Sequence, residues 1–154
     1  MADAGERRAD ADRLLRSVEA EERARTRGRL KIFLGYASGV GKTLRMFNEG
    51  VRRKSRGEDV VVAATQPERS EAGEGALRRL EQIPPGVPGG TTPIDVAAVL
   101  RRRPQVCLID GLAYRNPAGS RNAARWQDVE DLLAAGVSVV STVNIQYVAE
   151  KQRE

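Results

Sequence analysis

A lysine and a threonine preceded by closely spaced glycines are the residues of this 154-residue chain best equipped for chemistry. In Gly35-Tyr36-Ala37-Ser38-Gly39-Val40-Gly41-Lys42-Thr43 the small residues let successive backbone N–H groups turn toward one anion. Lys42 can reach outer phosphates and the Thr43 hydroxyl can hold magnesium, so three tasks fall on neighbouring positions. The spacing departs from a standard phosphate-binding loop at one place, where Tyr36 stands six before the lysine and the glycine comes one residue earlier, at Gly35. The expected binding set is Gly35, Ser38, Gly39, Val40, Gly41, Lys42 and Thr43, with ATP as ligand.

An acid at the end of an apolar run supplies the second half of such a site. Asp110 closes Val106-Cys107-Leu108-Ile109, and an aspartate there positions magnesium while the loop hydroxyl binds the ion. Thr43 and Asp110 are therefore the expected Mg²⁺ residues. Turnover is a separate matter, because Gly111 follows Asp110 and a glycine cannot polarise water. With no histidine in the chain, the base candidates are Glu68, Glu71 and Asp128, none placed by a motif. Arg115, Arg121 and Arg125 either neutralise phosphate charge or are exposed arginines bordering a loop; the sequence leaves both open.

The elements that must position these residues alternate strand and helix. Leu30 to Leu34 reads as a strand running into the loop, and Lys42 to about Ser55 as a helix with Leu44, Met46, Phe47 and Val51 on one face. That helix starts where phosphate would bind, presenting its positive dipole end. Asp59 to Ala64, Val106 to Asp110 and Val137 to Thr142 are apolar, largely β-branched runs suited to strands covered on both faces. Glu71 to Leu80, Asp95 to Arg103 with Val96 and Leu100 inward, and a segment marked by Trp126, Val129, Leu132 and Leu133 read as helices. Asn144 to Glu154 reads as a short final one. Such a parallel sheet collects ligands at the carboxyl ends of its strands, where Gly35, Asp110 and Thr142 fall. Residues 1–29, rich in Ala, Arg and Glu, read as a solvated helical arm with a short stripe of Leu14, Leu15 and Val18, ahead of one domain over 30–154.

Composition narrows the function further. Hydrophobic content of 40% and charged content of 31% are those of a globular chain. A net charge of +5, mostly arginine, suits an anionic ligand, while its mixed-sign runs argue for solvated faces rather than nucleic acid. The absence of histidine removes phosphohistidine chemistry, and the single cysteine, Cys107, reads as a buried strand residue. No apolar run approaches the roughly 20 residues that span a bilayer, so direct membrane insertion is not expected and the chain by itself is expected in the cytoplasm.

Gly28 to Thr43, Asp110-Gly111-Leu112-Ala113-Tyr114-Arg115-Asn116, Pro117 to Arg121, Arg125-Trp126-Gln127-Asp128-Val129 and Asn144-Ile145-Gln146, in this order, resemble the N-terminal cytoplasmic domain of the KdpD sensor histidine kinases, which govern a high-affinity potassium uptake system. The arm resembles the segment preceding the loop in that family. The resemblance implies a P-loop NTPase-like α/β fold, a three-layer sandwich with a mainly parallel sheet plus the N-terminal helical arm. It also implies an ATP/Mg-binding regulatory domain that sets the kinase or phosphatase balance of a distant core, in two-component signalling linked to potassium. Gly39, Gly41, Lys42, Thr43 and Asp110 take the family's phosphate and metal roles, and Tyr36 also occurs in members.

Family members continue into a universal-stress-like domain, membrane helices and a kinase module; this chain stops earlier and is not expected to act as a kinase alone. Gly111 and Tyr114 replace the family's usual glutamate and histidine, Asn122 and Tyr147 stand where histidine is common, and Thr65-Gln66-Pro67-Glu68-Arg69 lacks the usual Thr-His-Gly. The expected function is nucleotide sensing by a standalone or divergent member; a small ATPase or phosphotransferase, and an interaction domain that has lost nucleotide binding, are the alternatives. Expected partners are the nucleotide and a sensor-kinase or response-regulator component, with self-association through an uncovered sheet edge.

Overall fold

The computed structural model describes residues 4–35, 40–66, 70–85 and 94–145. Within them the element order is α1 (Ala4–Thr26), β1 (Leu30–Gly35), α2 (Val40–Ser55), β2 (Val60–Ala64), α3 (Glu71–Leu77), β3 (Glu81–Gln82), α4 (Val96–Arg102), β4 (Val106–Ile109), α5 (Arg125–Ala134) and β5 (Ser138–Asn144). The five strands form one sheet in the order β1-β5-β4-β2-β3, and every pairing is parallel.

Alternation along the strands builds three layers. Val61, Ala63, Cys107, Ile109 and Val139 face one side and pack with Val96 and Val99 of α4 and with Val129, Leu132 and Leu133 of α5. Val60, Val62, Val106, Leu108 and Val140 face the other, against Met46 and Phe47 of α2 and Ala76 and Leu77 of α3. Burial on both faces is why these strands read as continuous apolar runs rather than alternating ones. Met46 and Phe47 are wholly buried, each contributing about 1.5–3 kcal/mol. Cys107 lies on the opposite face, among the α4 and α5 residues, and burial pushes its thiol up to about 12, which is the packing role expected of it.

Polar contacts set the helix ends and strand starts. Ser70 Oγ accepts from the Gly73 N–H at 3.0 Å and Asp95 Oδ1 accepts from the Ala98 N–H at 2.9 Å, capping α3 and α4. Arg102, at the end of α4, donates to both Asp59 oxygens at 2.7 Å and to Glu81 at 2.8 Å, tying α4 to the starts of β2 and β3. On α2 the nearly buried Glu49 accepts from Lys31 of β1 at 3.1 Å, from Arg52 at 2.8 Å and from Arg53 at 3.2 Å. The Arg52 hydrogen bond is the largest influence on Glu49; with the other two cations it outweighs burial and lowers the carboxyl to about 2.

Several boundaries differ from the sequence reading. Helix α3 stops at Leu77 and the chain forms β3, a two-residue edge strand too short to leave a periodic signal. Strand β5 continues through Asn144, the position read as a helix start, because β1 pairs with it as far as Gly35↔Asn144; residues 146–154 of the expected last helix lie outside the described residues. Trp126 is 53% exposed, and Arg125 is buried in its place. The arm forms α1 with Leu14, Leu15 and Val18 exposed, anchored where Arg27 donates to Glu130 at 2.5 Å and the Gly28 N–H donates to the Leu133 carbonyl at 2.8 Å. No helix among the described residues is long and apolar enough to cross a membrane.

Candidate functional site

Strand order brings the site together. Strands β1, β5 and β4 are neighbours with their carboxyl ends aligned, so Gly35, Asp110 and Thr142 meet at one edge, beside the start of α2. Lys42 and Thr43 sit in the first turn of that helix. The Thr43 hydroxyl donates to Asp110 Oδ2 at 2.9 Å across 67 residues of sequence, and both side chains are buried. The Thr142 hydroxyl donates to the other oxygen, Oδ1, at 2.6 Å and accepts from the Gly111 N–H at 2.9 Å.

A hydroxyl has one hydrogen to donate and two lone pairs to offer. Thr43 gives its hydrogen to Asp110, which leaves its lone pairs facing outward, and a hydroxyl beside a carboxylate is the hard-oxygen donor set that magnesium takes. Among the described residues no group of three or more His, Cys, Asp or Glu side chains could cage a metal. A magnesium ion here would need its remaining ligands from phosphate and water. Thr43 and Asp110 therefore fit Mg²⁺ only together with a phosphate ligand.

The cleft above these groups holds about 210 Å³ and is lined among the described residues by Lys42, Thr43, Gln66, Asp110, Gly111, Ala113, Tyr114, Thr142, Val143 and Asn144. That volume suits phosphate groups and an ion better than a whole nucleotide. Gly35 accounts for the unusual spacing of the glycine loop. A Cβ placed on it would lie 2.7 Å from Lys42 Cδ and 3.2 Å from Lys42 Nζ, so the lysine lies back over the end of β1 in space only a glycine leaves.

Of the expected binding residues, Ser38 and Gly39 lie outside the described residues. Val40 opens α2, and Gly41 is exposed in its first turn. The arginines separate into two groups. Arg115 is exposed and Arg121 is exposed and paired with Asp131 at 3.6 Å, whereas Arg125 is 4% exposed and donates from Nη1 to the Asp110 carbonyl at 2.5 Å. Burial lowers the Arg125 pKa, partly offset by Asp110, Tyr114 and Asp128. Its guanidinium lies over the Tyr114 ring, 5.1 Å from the centroid.

None of the expected bases lines the cleft among the described residues. Glu68 lies outside them, Glu71 is exposed at the start of α3, and Asp128 is buried and accepts from Asn116 Nδ2 at 2.7 Å and Asn122 Nδ2 at 2.8 Å. Gly111 has φ +75°, and a Cβ there would fall 2.3 Å from Tyr114 Cε2, so the tyrosine ring occupies the space a side chain at 111 would need. The sequence alone places Thr142 at a strand end without a role and leaves Arg125 open between phosphate neutralisation and an exposed position. Their roles depend on β5 lying beside β4 and on α5 turning its first residue inward, neither of which leaves a local signal.

Fold and site define a class: a three-layer α/β domain with a fully parallel sheet and a lysine, threonine and aspartate grouped at its carboxyl edge. Residues 26–153 match the family described as KdpD, osmosensitive K⁺ channel His kinase sensor domain, and the chain belongs to that family. It is 49% identical over 126 residues to the sensor protein KdpD of Mycobacterium tuberculosis, covering 79% of this chain and 15% of that protein. To the sensor protein KdpD of Escherichia coli it is 39% identical over 145 residues, covering 92% of this chain and 16% of the relative. It is 43% identical over 127 residues to a putative sensor protein KdpD of Synechocystis, covering 79% and 34%. The chain thus spans between about a seventh and a third of the length of these relatives.

Proposed function

We propose that this chain is the Mg²⁺-ATP-binding regulatory domain of a KdpD-type sensor, acting in potassium-responsive two-component signalling from the cytoplasm. The observation that carries the reading is the 2.9 Å hydrogen bond from Thr43 to Asp110, beside Lys42 at the mouth of the cleft. Two motif fragments far apart in sequence meet at the end of a parallel sheet, where the chemistry of a phosphate site requires them.

In this role Lys42 binds the outer phosphates, and the N–H groups opening α2 face the same anion. Thr43 directs its lone pairs to the magnesium while Asp110 holds the hydroxyl hydrogen; Thr142 keeps the second oxygen of Asp110 satisfied and fixes its plane. Bound magnesium neutralises phosphate charge. With Gly111 unable to orient water, occupancy rather than turnover is the signal. The partner that receives it is the remainder of a sensor kinase or its response regulator. Equilibrium binding of ATP to the native chain and to Lys42→Ala tests the reading: affinity lost in a variant that keeps its thermal transition supports it. Steady phosphate release by the native chain, lost in Lys42→Ala, would convert the domain into an ATPase.

A further inference from the structure

Among the described residues, the guanidinium of Arg125 is the buried polar group of the site region left incomplete. Its side chain is 96% buried, its Nη1 is spent on the Asp110 carbonyl, and its Nε has no hydrogen-bond partner. Burial of an unmet donor is costly, and buried arginines ordinarily take a carboxylate with two parallel bonds. Asp128, whose charge also acts on Arg125, is already held by Asn116 and Asn122.

A single side chain separates this cation from the cleft. The Tyr114 ring lines the cleft and is 38% exposed; Arg125 lies over the ring and does not reach the cleft wall. The ring rests against Gly111, which offers no side chain to trap it. The Tyr114 backbone is held on both sides, its N–H donating to the Gly111 carbonyl at 3.2 Å and its carbonyl accepting from the Arg125 N–H at 3.0 Å. Rotation of the ring about its own side-chain bonds would break its contact with the guanidinium and leave these backbone hydrogen bonds in place.

We propose that Arg125 is a second phosphate-reading cation, covered by Tyr114 and drawn to the terminal phosphate of a nucleoside triphosphate, so that the cleft distinguishes triphosphate from diphosphate. This rests on the nucleotide reading above. Lys42 reaches the outer phosphate of either ligand and Thr43 serves the metal of both, whereas Arg125 adds a second cation for the charge that only the triphosphate carries. A trioxo anion supplies the planar oxygen pair that a guanidinium fork matches. The cation–π contact keeps the arginine in place when that anion is missing.

The test is Mg²⁺-dependent binding of ATP and of ADP by the native chain, Arg125→Gln, Arg125→Lys and Tyr114→Ala, followed by calorimetry and by fluorescence of Trp126, the chain's single tryptophan and the neighbour of Arg125. Arg125→Gln is expected to weaken ATP roughly tenfold to a hundredfold, the scale of one charge-assisted hydrogen bond, and ADP by less than about twofold. Arg125→Lys recovers part of the ATP preference. Tyr114→Ala, which removes the cover, raises the ATP-to-ADP preference and carries the test if Arg125→Gln fails to fold. An unchanged or lowered preference in Tyr114→Ala, or equal losses for both nucleotides in Arg125→Gln, overturns the proposal. If Lys42→Ala loses both nucleotides while Arg125→Gln keeps the native preference, the nucleotide reading stands and this one falls. A native chain that binds neither nucleotide overturns both.

Discussion

Replacing Gly111 with alanine tests how the floor of the cleft is built. The residue has φ +75°, a conformation that costs an L-residue roughly 1–2 kcal/mol. The new Cβ would also lie 2.3 Å from Cε2 and 2.4 Å from Cδ2 of Tyr114, closer than any contact can be, so the ring must leave its seat. The ring, 38% exposed, is held there by the buried Arg125 at 5.1 Å, where a half-desolvated cation–π contact is worth about 1–2 kcal/mol. Gly111→Ala should therefore cost about 2–4 kcal/mol, lowering the thermal midpoint by several degrees.

The two contributions separate in a double-mutant cycle. In a Tyr114→Ala background only the backbone cost remains, so the same substitution should cost about 1–2 kcal/mol. Urea unfolding of the four proteins measures the difference. A cost below about 0.5 kcal/mol in the native background, or one equal in the two backgrounds, refutes the reasoning. Positions 111 and 114 are therefore coupled, since a side chain at 111 needs the space that the Tyr114 ring fills. A glutamate introduced at 111 alone would displace the ring before it could orient water.

Other predictions follow from the same contacts. Gly35→Ala pushes the flexible stem of Lys42 aside, so ATP binding should weaken severalfold while the urea midpoint stays near native; unchanged affinity would show that the lysine reaches phosphate by another path. Thr142→Val leaves Asp110 Oδ1 and the Gly111 N–H without their partner, and should cost about 2–3 kcal/mol by urea unfolding, a loss under 1 kcal/mol being the contrary result. Glu49 has its carboxyl lowered from 4.5 to about 2, so the stability it contributes is fully present above pH 4.5 and is lost as pH falls toward 2. Its cation partners are partly exposed, so Glu49→Gln should cost about 1–3 kcal/mol at pH 7, and the gap between the two proteins should close progressively below pH 4.5. A pH-independent gap would assign the cost to packing.

Much of the architecture is legible in the chain because its main strands are apolar runs bounded by glycine and charge. Val60 to Ala64 and Val106 to Ile109 could only be strands covered twice, and the Lys42 helix announces itself through Met46 and Phe47. Strand β3 was not legible, since two exposed residues on an edge carry no period. Trp126 misled because its apolar size argues for burial, while the actual inward residue, Arg125, gains its place from a carbonyl and an aromatic ring that only the fold brings near. In the candidate site Thr43 and Asp110 could be named from motif chemistry. Thr142 could not, because its contact with Asp110 depends on which strand lies beside β4, and strand order is a property of the whole sheet.

In the proposed role Thr43 and Asp110 hold magnesium together with the phosphates of ATP. Titration of the native chain with ATP at millimolar Mg²⁺, repeated in EDTA, tests it most directly. Saturable binding with magnesium, strongly weakened without it, is expected. Affinity that is the same in both conditions, or no binding at millimolar nucleotide, would contradict it.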